Sequence, residues 1–379
     1  KAARTAASNA GAKVVKTFAY EISGSEQQEI YDINPDLVLL CGGTDGGNKE
    51  VIIANAKHLV AIDRPFTTIV AGNKSANDDI KAIFNEAGKD VVITENVMPQ
   101  FNKLNIEPAR DAIRQLFISR IIEAKGLNIL QAMTPYKIIP TPLAVLHACE
   151  LLSKGTKTQQ GRGDLLAVDI GGATTDVYSM ASGEPTVDNT MLKGLPEPWM
   201  KRTVEGDLGM RYSLTHVYEQ IPGADNPENE YMQQVKAWVE LCTAHPDTLA
   251  APGSEEEKLE EFLGRSAVSM AVERHCGRIA DVYTPLGLMH TQEGKDLMNV
   301  PSVIGIGGVL RNSRRPEEIL KGSLYDFMHP ECTKPRKPKF YLDQKYIFAS
   351  MGLLRSINPE LAFELLDKET VEIGCNATV

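Results

Sequence analysis

The stretch Asp169-Ile170-Gly171-Gly172-Ala173-Thr174-Thr175-Asp176 constrains the fold more than any other in the chain. The apolar run Leu165-Leu166-Ala167-Val168 before it predicts a buried strand, and Val177-Tyr178-Ser179-Met180 after it predicts a second. Two strands joined by a glycine turn make a hairpin whose backbone N–H groups can meet a phosphate, because Gly171 and Gly172 carry no Cβ. Thr174 and Thr175 add hydroxyl donors, and Asp169 and Asp176 bracket the turn with carboxylates. Carboxylates beside phosphate oxygens suit Mg²⁺, which prefers oxygen ligands. An ordinary glycine hairpin with surface aspartates uses the same residues, so the rest of the chain has to choose between them.

A chain of 379 residues has room for about two or three domains. Its 42% hydrophobic and 24% charged residues are those of a globular protein. No apolar run reaches the roughly 20 residues of a bilayer span, and no membrane association is expected. A net charge of −10 speaks against a phosphate-backbone-binding surface over most of the protein, leaving room for a local basic patch, and no nucleic-acid partner is expected. Cys41, Cys149, Cys242, Cys276, Cys332 and Cys375 show no CxxC or Cys/His spacing. They read as reduced thiols of a cytoplasmic protein. The opening Lys1-Ala2-Ala3-Arg4-Thr5 has neither an initiator Met nor an apolar signal region, as expected of a start inside a longer chain.

The first 150 or so residues alternate strand-like and helix-like segments, the pattern of a parallel α/β domain. Strands are predicted at 36–40, 66–72 and 90–94, with helices from near Lys49 and over about 76–87. A further helix over 107–125 carries Ile113, Phe117, Ile121 and Ile122 and stops at Gly126. The glycine turn Cys41–Asn48 suits either an anion at a helix N-terminus or a tight strand-to-helix turn. The polar stretch Ser153–Gly163 divides the chain into domains 1–163 and 164–379. Within the second, residues about 213–275 are acidic and helix-prone and read as a helical insertion, with Val235, Trp238, Val239 and Leu241 able to pack.

Four elements in order resemble the actin/Hsp70/sugar-kinase superfamily. Pro140–Leu146 is similar to its first connecting helix, and Asp169–Asp176 to its second phosphate motif. Val303-Ile304-Gly305-Ile306-Gly307-Gly308-Val309 resembles its adenosine motif, and Leu342-Asp343 with Ala349–Leu354 its second connecting helix. The resemblance implies a two-domain actin/Hsp70-like (ribonuclease H-like) ATPase fold of class α/β with a helical insertion. Gly42–Asn48, Glu95–Pro99, Gly172–Asp176, Lys201–Gly209, Arg274-His275 and Gly294–Leu297 are closer still to the MutL/GlmL family. That family is the one associated with glutamate mutase, as distinct from the DNA mismatch-repair protein of the same name. Its first phosphate motif, an Asp-x-Gly hairpin, is absent from this sequence, as in an N-terminally truncated member.

The resemblance implies an ATP-binding, weakly or partner-stimulated ATPase. It would act as a chaperone-like reactivating factor that releases damaged cobalamin from an adenosylcobalamin-dependent aminomutase of the glutamate mutase type. A non-hydrolysing scaffold for the mutase and a small-molecule kinase stay open beside it, and the oligomeric state is not legible. Gly171, Gly172, Ala173, Thr174 and Thr175 would cradle the phosphates of ATP or ADP. Asp169 and Asp176 would hold Mg²⁺ and serve catalysis, and Gly305, Gly307 and Gly308 would meet the nucleoside. Arg202, Glu205, Asp207 and Arg211 alternate in sign and read as surface ion pairs or a switch loop. His275 reads as structural, and Lys334–Lys339 as an exposed basic loop.

Overall fold

The computed structural model describes all residues except 1, 11, 13, 125–127, 137, 195, 196, 225, 286 and 375–379, and leaves undescribed the side chains of 5, 8, 9, 118–124, 128 and 130. The expected core positions Ile121 and Ile122, the Gly126 stop and Cys375 thus lie outside the described residues. The chain divides into two compact units, Lys1–Pro140 and Thr141–Val379.

The first unit runs α1 (Ala2–Asn9), α2 (Gly24–Ile33), β1 (Leu37–Leu40), α3 (Glu50–Ala61), β2 (Thr67–Val70), α4 (Asn77–Glu86), β3 (Val91–Ile93), α5 (Glu107–Ala124) and α6 (Asn128–Ala132). Its three strands are parallel in the order β1-β2-β3, with Leu39 opposite Ile69 and Ile69 opposite Val92. Ile52, Ala56 and Leu59 of α3 and Ile80 and Phe84 of α4 pack with Leu40 and Val70 into one core. Their spacing of three and four residues puts each set on one helix face. Ser23 and Glu26 form a capping box that starts α2.

The second unit runs α7 (Thr141–Lys154), β4 (Leu165–Ile170), β5 (Thr175–Met180), β6 (Thr190–Leu192), β7 (Met200–Glu205), α8 (Leu214–Glu219), α9 (Glu230–Ala244) and α10 (Glu255–His275). It continues with β8 (Arg278–Thr284), β9 (Gly287–Glu293), β10 (Ser302–Ile306), α11 (Gly308–Asn312), α12 (Pro316–Leu320), β11 (Lys339–Asp343), α13 (Phe348–Leu354), α14 (Pro359–Glu369) and β12 (Thr370–Ile373). Six strands form one mixed sheet in the order β12-β11-β10-β4-β5-β7, and β6-β9-β8 form a small second sheet. At the centre, β10 lies parallel to β4 and β11, while β5 turns back antiparallel to β4 and β7 follows it antiparallel.

Strand alternation gives the large sheet two different faces. Leu166, Val168, Ile170, Val177 and Val303 point to the side where Leu263, Ala267, Val268, Ala271 and Val272 of α10 complete a core. Asp169, Asp176, Tyr178 and Arg202 point to the other side. On that side α7 and α13 are in contact so close that a Cβ on Gly352 would fall 1.8 Å from Ala144 O.

Several expectations are corrected. The division falls at Pro140 rather than at 163, because α7 buries Leu143, Leu146, Cys149 and Leu152 within the second unit. Val235, Trp238 and Val239 of α9 are buried, but Leu241 is exposed. Among the described residues the units do not repeat one another: the first has three parallel strands and no hairpin, the second a mixed six-stranded sheet. In place of the expected two-domain actin/Hsp70-like fold, the described residues form an α/β chain of two dissimilar units. No helix among the described residues is long and apolar enough to cross a membrane.

Candidate phosphate and nucleotide site

A bond from Gly171 N to Thr174 O, 2.9 Å, closes the β4–β5 turn. The other carbonyls of the turn are taken from behind by residues 210–213. Met210 N donates to Gly171 O at 3.0 Å, and Arg211 N and Tyr212 N both donate to Gly172 O at 2.8 Å. The Ser213 hydroxyl lies 2.9 Å from Ala173 O. Gly209 makes this approach feasible, since a Cβ there would sit 2.2 Å from the Ala173 carbonyl carbon. Among the described residues, the N–H groups of Gly172, Ala173 and Thr174 have no partner. A turn with its oxygens bound behind it and its N–H groups open offers donors to an anion. Thr175 does not join them: it is buried, and its hydroxyl donates to Leu208 O at 2.5 Å.

Asp169 and Asp176 are direct partners across β4 and β5 and so share a face. Arg202 reaches Asp176 from β7, with Nε 2.9 Å and Nη2 2.6 Å from the same Oδ1. The Thr174 hydroxyl bonds Asp176 as well. Burial raises the Asp176 carboxyl, and the Arg202 guanidinium pulls it back down. Asp169 takes no hydrogen bond or ion pair among the described residues. Burial, then the negative Asp176 and Asp343, push its carboxyl up to about 7. Asp343 itself caps α13, accepting Ile347 N at 2.9 Å and Phe348 N at 3.0 Å.

A buried carboxylate beside two others and without a donor is a place for a cation. Among the described residues no three His, Cys, Asp or Glu side chains stand close enough to hold a metal alone. A cation at Asp169 would need oxygens from a ligand and water, the coordination Mg²⁺ takes with nucleotides.

The turn from β10 into α11 closes on the same point. Gly307 has φ +102°, and a Cβ there would fall 2.5 Å from Ile170 O and 2.8 Å from Asp169 Oδ1. Gly308 has open space before it, with Asn312 Nδ2 nearest at 3.8 Å. Gly305 is different: a Cβ on it would meet Leu310 at 2.9 Å and Leu320 at 3.1 Å, so it is a packing glycine facing the α10 side.

Other sequence readings fare unevenly. In the first unit the Cys41–Asn48 turn is filled by its own neighbours. Asn73 Oδ1 accepts Gly46 N, Asn73 Nδ2 donates to Gly47 O and Asn48 O, and Asn96 Nδ2 donates to Gly43 O and Asp45. The tight strand-to-helix turn accounts for these residues. Of the alternating charges, Arg202 is 3% exposed and belongs to the site. Arg274 binds Glu205 and Asp207, holding the Asp207 carboxyl down to about 2, and Arg211 binds Glu260. His275 is buried between Ser179 Oγ and Thr203 Oγ1, each at 2.8 Å, and burial holds it neutral. Lys334 is not exposed: it is buried, with Nζ 3.0 Å from Ser269 Oγ. Sequence reasoning missed Arg202 and the bracing segment. Strand alternation, which sends Arg202 and Lys201 to opposite faces, was the available signal.

Comparison with known proteins bears on the wider reading. The family described as "MutL protein" matches residues 1–370. "Protein MutL" of Clostridium tetanomorphum is 45% identical over 376 residues, covering 98% of this chain and 81% of that protein. Both descriptions give MutL without qualification. The narrowing to GlmL, and with it the distinction from the mismatch-repair bearer of the name, is therefore withdrawn, as is the actin/Hsp70-like label. The cobalamin-releasing function, the mutase scaffold and the aminomutase partner rested on that narrowing and go with it, and the kinase goes with the actin/Hsp70-like label. The exclusion of nucleic acid goes too, because net charge is a sum over the chain and does not decide a local surface. Neither description names a partner, and none is assigned. With a family match and 45% identity both running over nearly its whole length, the chain belongs to the MutL protein family.

Proposed function

We propose that this chain binds ATP with Mg²⁺ at the β4–β5 hairpin and hydrolyses it slowly. The observation that carries the reading is the orientation of the turn: residues 210–213 take its carbonyls, leaving the N–H groups of Gly172, Ala173 and Thr174 open beside an Asp169 carboxyl that takes no hydrogen bond or ion pair among the described residues. Those donors would receive phosphate oxygens, and the Thr174 hydroxyl stands beside them. Asp169 would hold Mg²⁺, which when bound supplies positive charge to the phosphate oxygens. Asp176, fixed by Arg202, would orient ligand oxygen or water through its remaining oxygen. Preorganised donors of this kind favour charge that develops during phosphoryl transfer. The Gly307-Gly308 turn beside Asp169 leaves room for the rest of a nucleotide, which favours ATP over free phosphate. Three N–H groups and one open carboxylate are a sparse set for a triphosphate, which supports slow turnover. The five described cysteines are free, as fits a reducing cytoplasm.

The test is phosphate release from ATP by the full chain, with Mg²⁺ and with the cation chelated. Mg²⁺-dependent release is expected. Binding without release removes the hydrolytic part, and neither binding nor release removes the reading.

A further inference from the structure

The sequence Met200-Lys201-Arg202-Thr203 alternates across β7, so Lys201 and Thr203 face α10 while Arg202 faces the site. Register places Arg202 opposite Tyr178, and its guanidinium reaches one pair further along β5 to Asp176, lying 5.9 Å from the Tyr178 ring on the way. Both Nε and Nη2 converge on Oδ1 of Asp176. With two donors on it, Oδ1 has little left to offer a ligand, so a ligand would meet Asp176 through Oδ2, on a carboxylate that the Thr174 hydroxyl also bonds. Asp169, its direct strand partner, takes no hydrogen bond from Arg202 and meets it only through the charge of the guanidinium.

We propose that Arg202 is a positioning residue that divides the labour of the two aspartates. It takes up Oδ1 of Asp176 and turns Oδ2 toward the ligand, and by neutralising Asp176 it leaves Asp169 as the carboxylate for the cation. The role rests on the ATP reading above. It calls for arginine rather than lysine: a planar guanidinium sets two N–H donors in a fixed fork, whereas an ammonium is a point charge on a flexible stem. A role in holding β5 to β7 alone needs only a buried positive charge within reach of Asp176. The two roles therefore part at Arg202→Lys.

The experiment uses the full chain and its Arg202→Lys and Arg202→Met variants, measuring melting temperature, kcat and KM for ATP in Mg²⁺. In Arg202→Lys, which keeps the charge, melting like the wild type is expected. Its kcat should fall about tenfold or more, as misplacing a reacting group does, with KM within about threefold of the wild type. Arg202→Met should lower kcat further. A folded Arg202→Lys with unchanged kcat overturns the role. So does a loss of melting temperature and ATP affinity together with kcat, which marks a structural pair only. A wild-type chain that neither binds nor hydrolyses ATP overturns the ATP reading and this role with it.

Discussion

Asp169 and Asp176 stand directly opposite each other on neighbouring strands, yet of these two carboxylates it is Asp176 that Arg202 hydrogen-bonds. Burial and two negative neighbours push the Asp169 carboxyl up to about 7, against the weaker pull of the Arg202 charge. Replacing it should separate function from stability. Asp169→Asn is expected to lower Mg²⁺-dependent ATP turnover by about 100-fold or more, the scale of a lost group at a reacting centre. The same change removes a buried charge that has no partner, so thermal melting should show stability unchanged or higher.

Gly307→Ala tests the second turn. The backbone there is left-handed at φ +102°, and a Cβ would press on Ile170 O and Asp169 Oδ1. Denaturant unfolding should show a loss of about 1–3 kcal/mol. ATP affinity should fall alongside, because Asp169 must move.

Gly209→Ala reaches the hairpin from behind without touching ligand. The added methyl would strike the Ala173 carbonyl and push residues 208–213 away from the turn. Calorimetric titration should show ATP binding weakened by about tenfold, the equivalent of one lost hydrogen bond of about 1.4 kcal/mol. Wild-type affinity in a folded Gly209→Ala chain would show that the brace does not set the turn.

Lys295 predicts a pH dependence of stability. It is fully buried, with Nζ 2.6 Å from Trp199 O and 3.2 Å from Ser179 Oγ, and burial followed by the nearby Lys201 pulls its ammonium down to about 7. In the unfolded chain an ordinary lysine keeps its proton to about 10.4. Between those values the unfolded state holds more protons, so the lysine's contribution to stability rises with pH, by at most about 1.4 kcal/mol per pH unit. Below about pH 7 the full penalty for the buried ammonium applies. Comparing urea unfolding of wild type and Lys295→Met from pH 7 to 10 should show the wild type gaining on the variant. Parallel pH profiles would contradict the shift.

The hairpin strands were legible because their apolar runs and the paired glycines are local signals, and the glycine junction at 305–308 was legible for the same reason. Arg202 was not, because an alternating-charge segment looks like a solvated loop until the strand's period of two is applied to it. Residues 208–213 brace the hairpin across about 40 positions of sequence, and such contacts leave no local pattern. Gly305 and Gly307 look alike in sequence, but Gly305 lies within β10 against Leu310, whereas Gly307 lies just past its end at φ +102°, against Ile170 O and Asp169. The apolar pattern of α7 announced a helix but not which unit it would pack within. The single acidic sum of the chain concealed Lys295 and Lys334, two cations buried among carbonyl and hydroxyl oxygens.

The central claim, that the open N–H groups of the hairpin receive phosphate, is tested most directly by amide NMR of the full chain labelled with ¹⁵N-glycine. On adding ATP with Mg²⁺, the Gly172 amide should shift strongly and the amide of the packed Gly305 much less. ATP binding that leaves Gly172 unmoved, or no binding at all, would contradict the account.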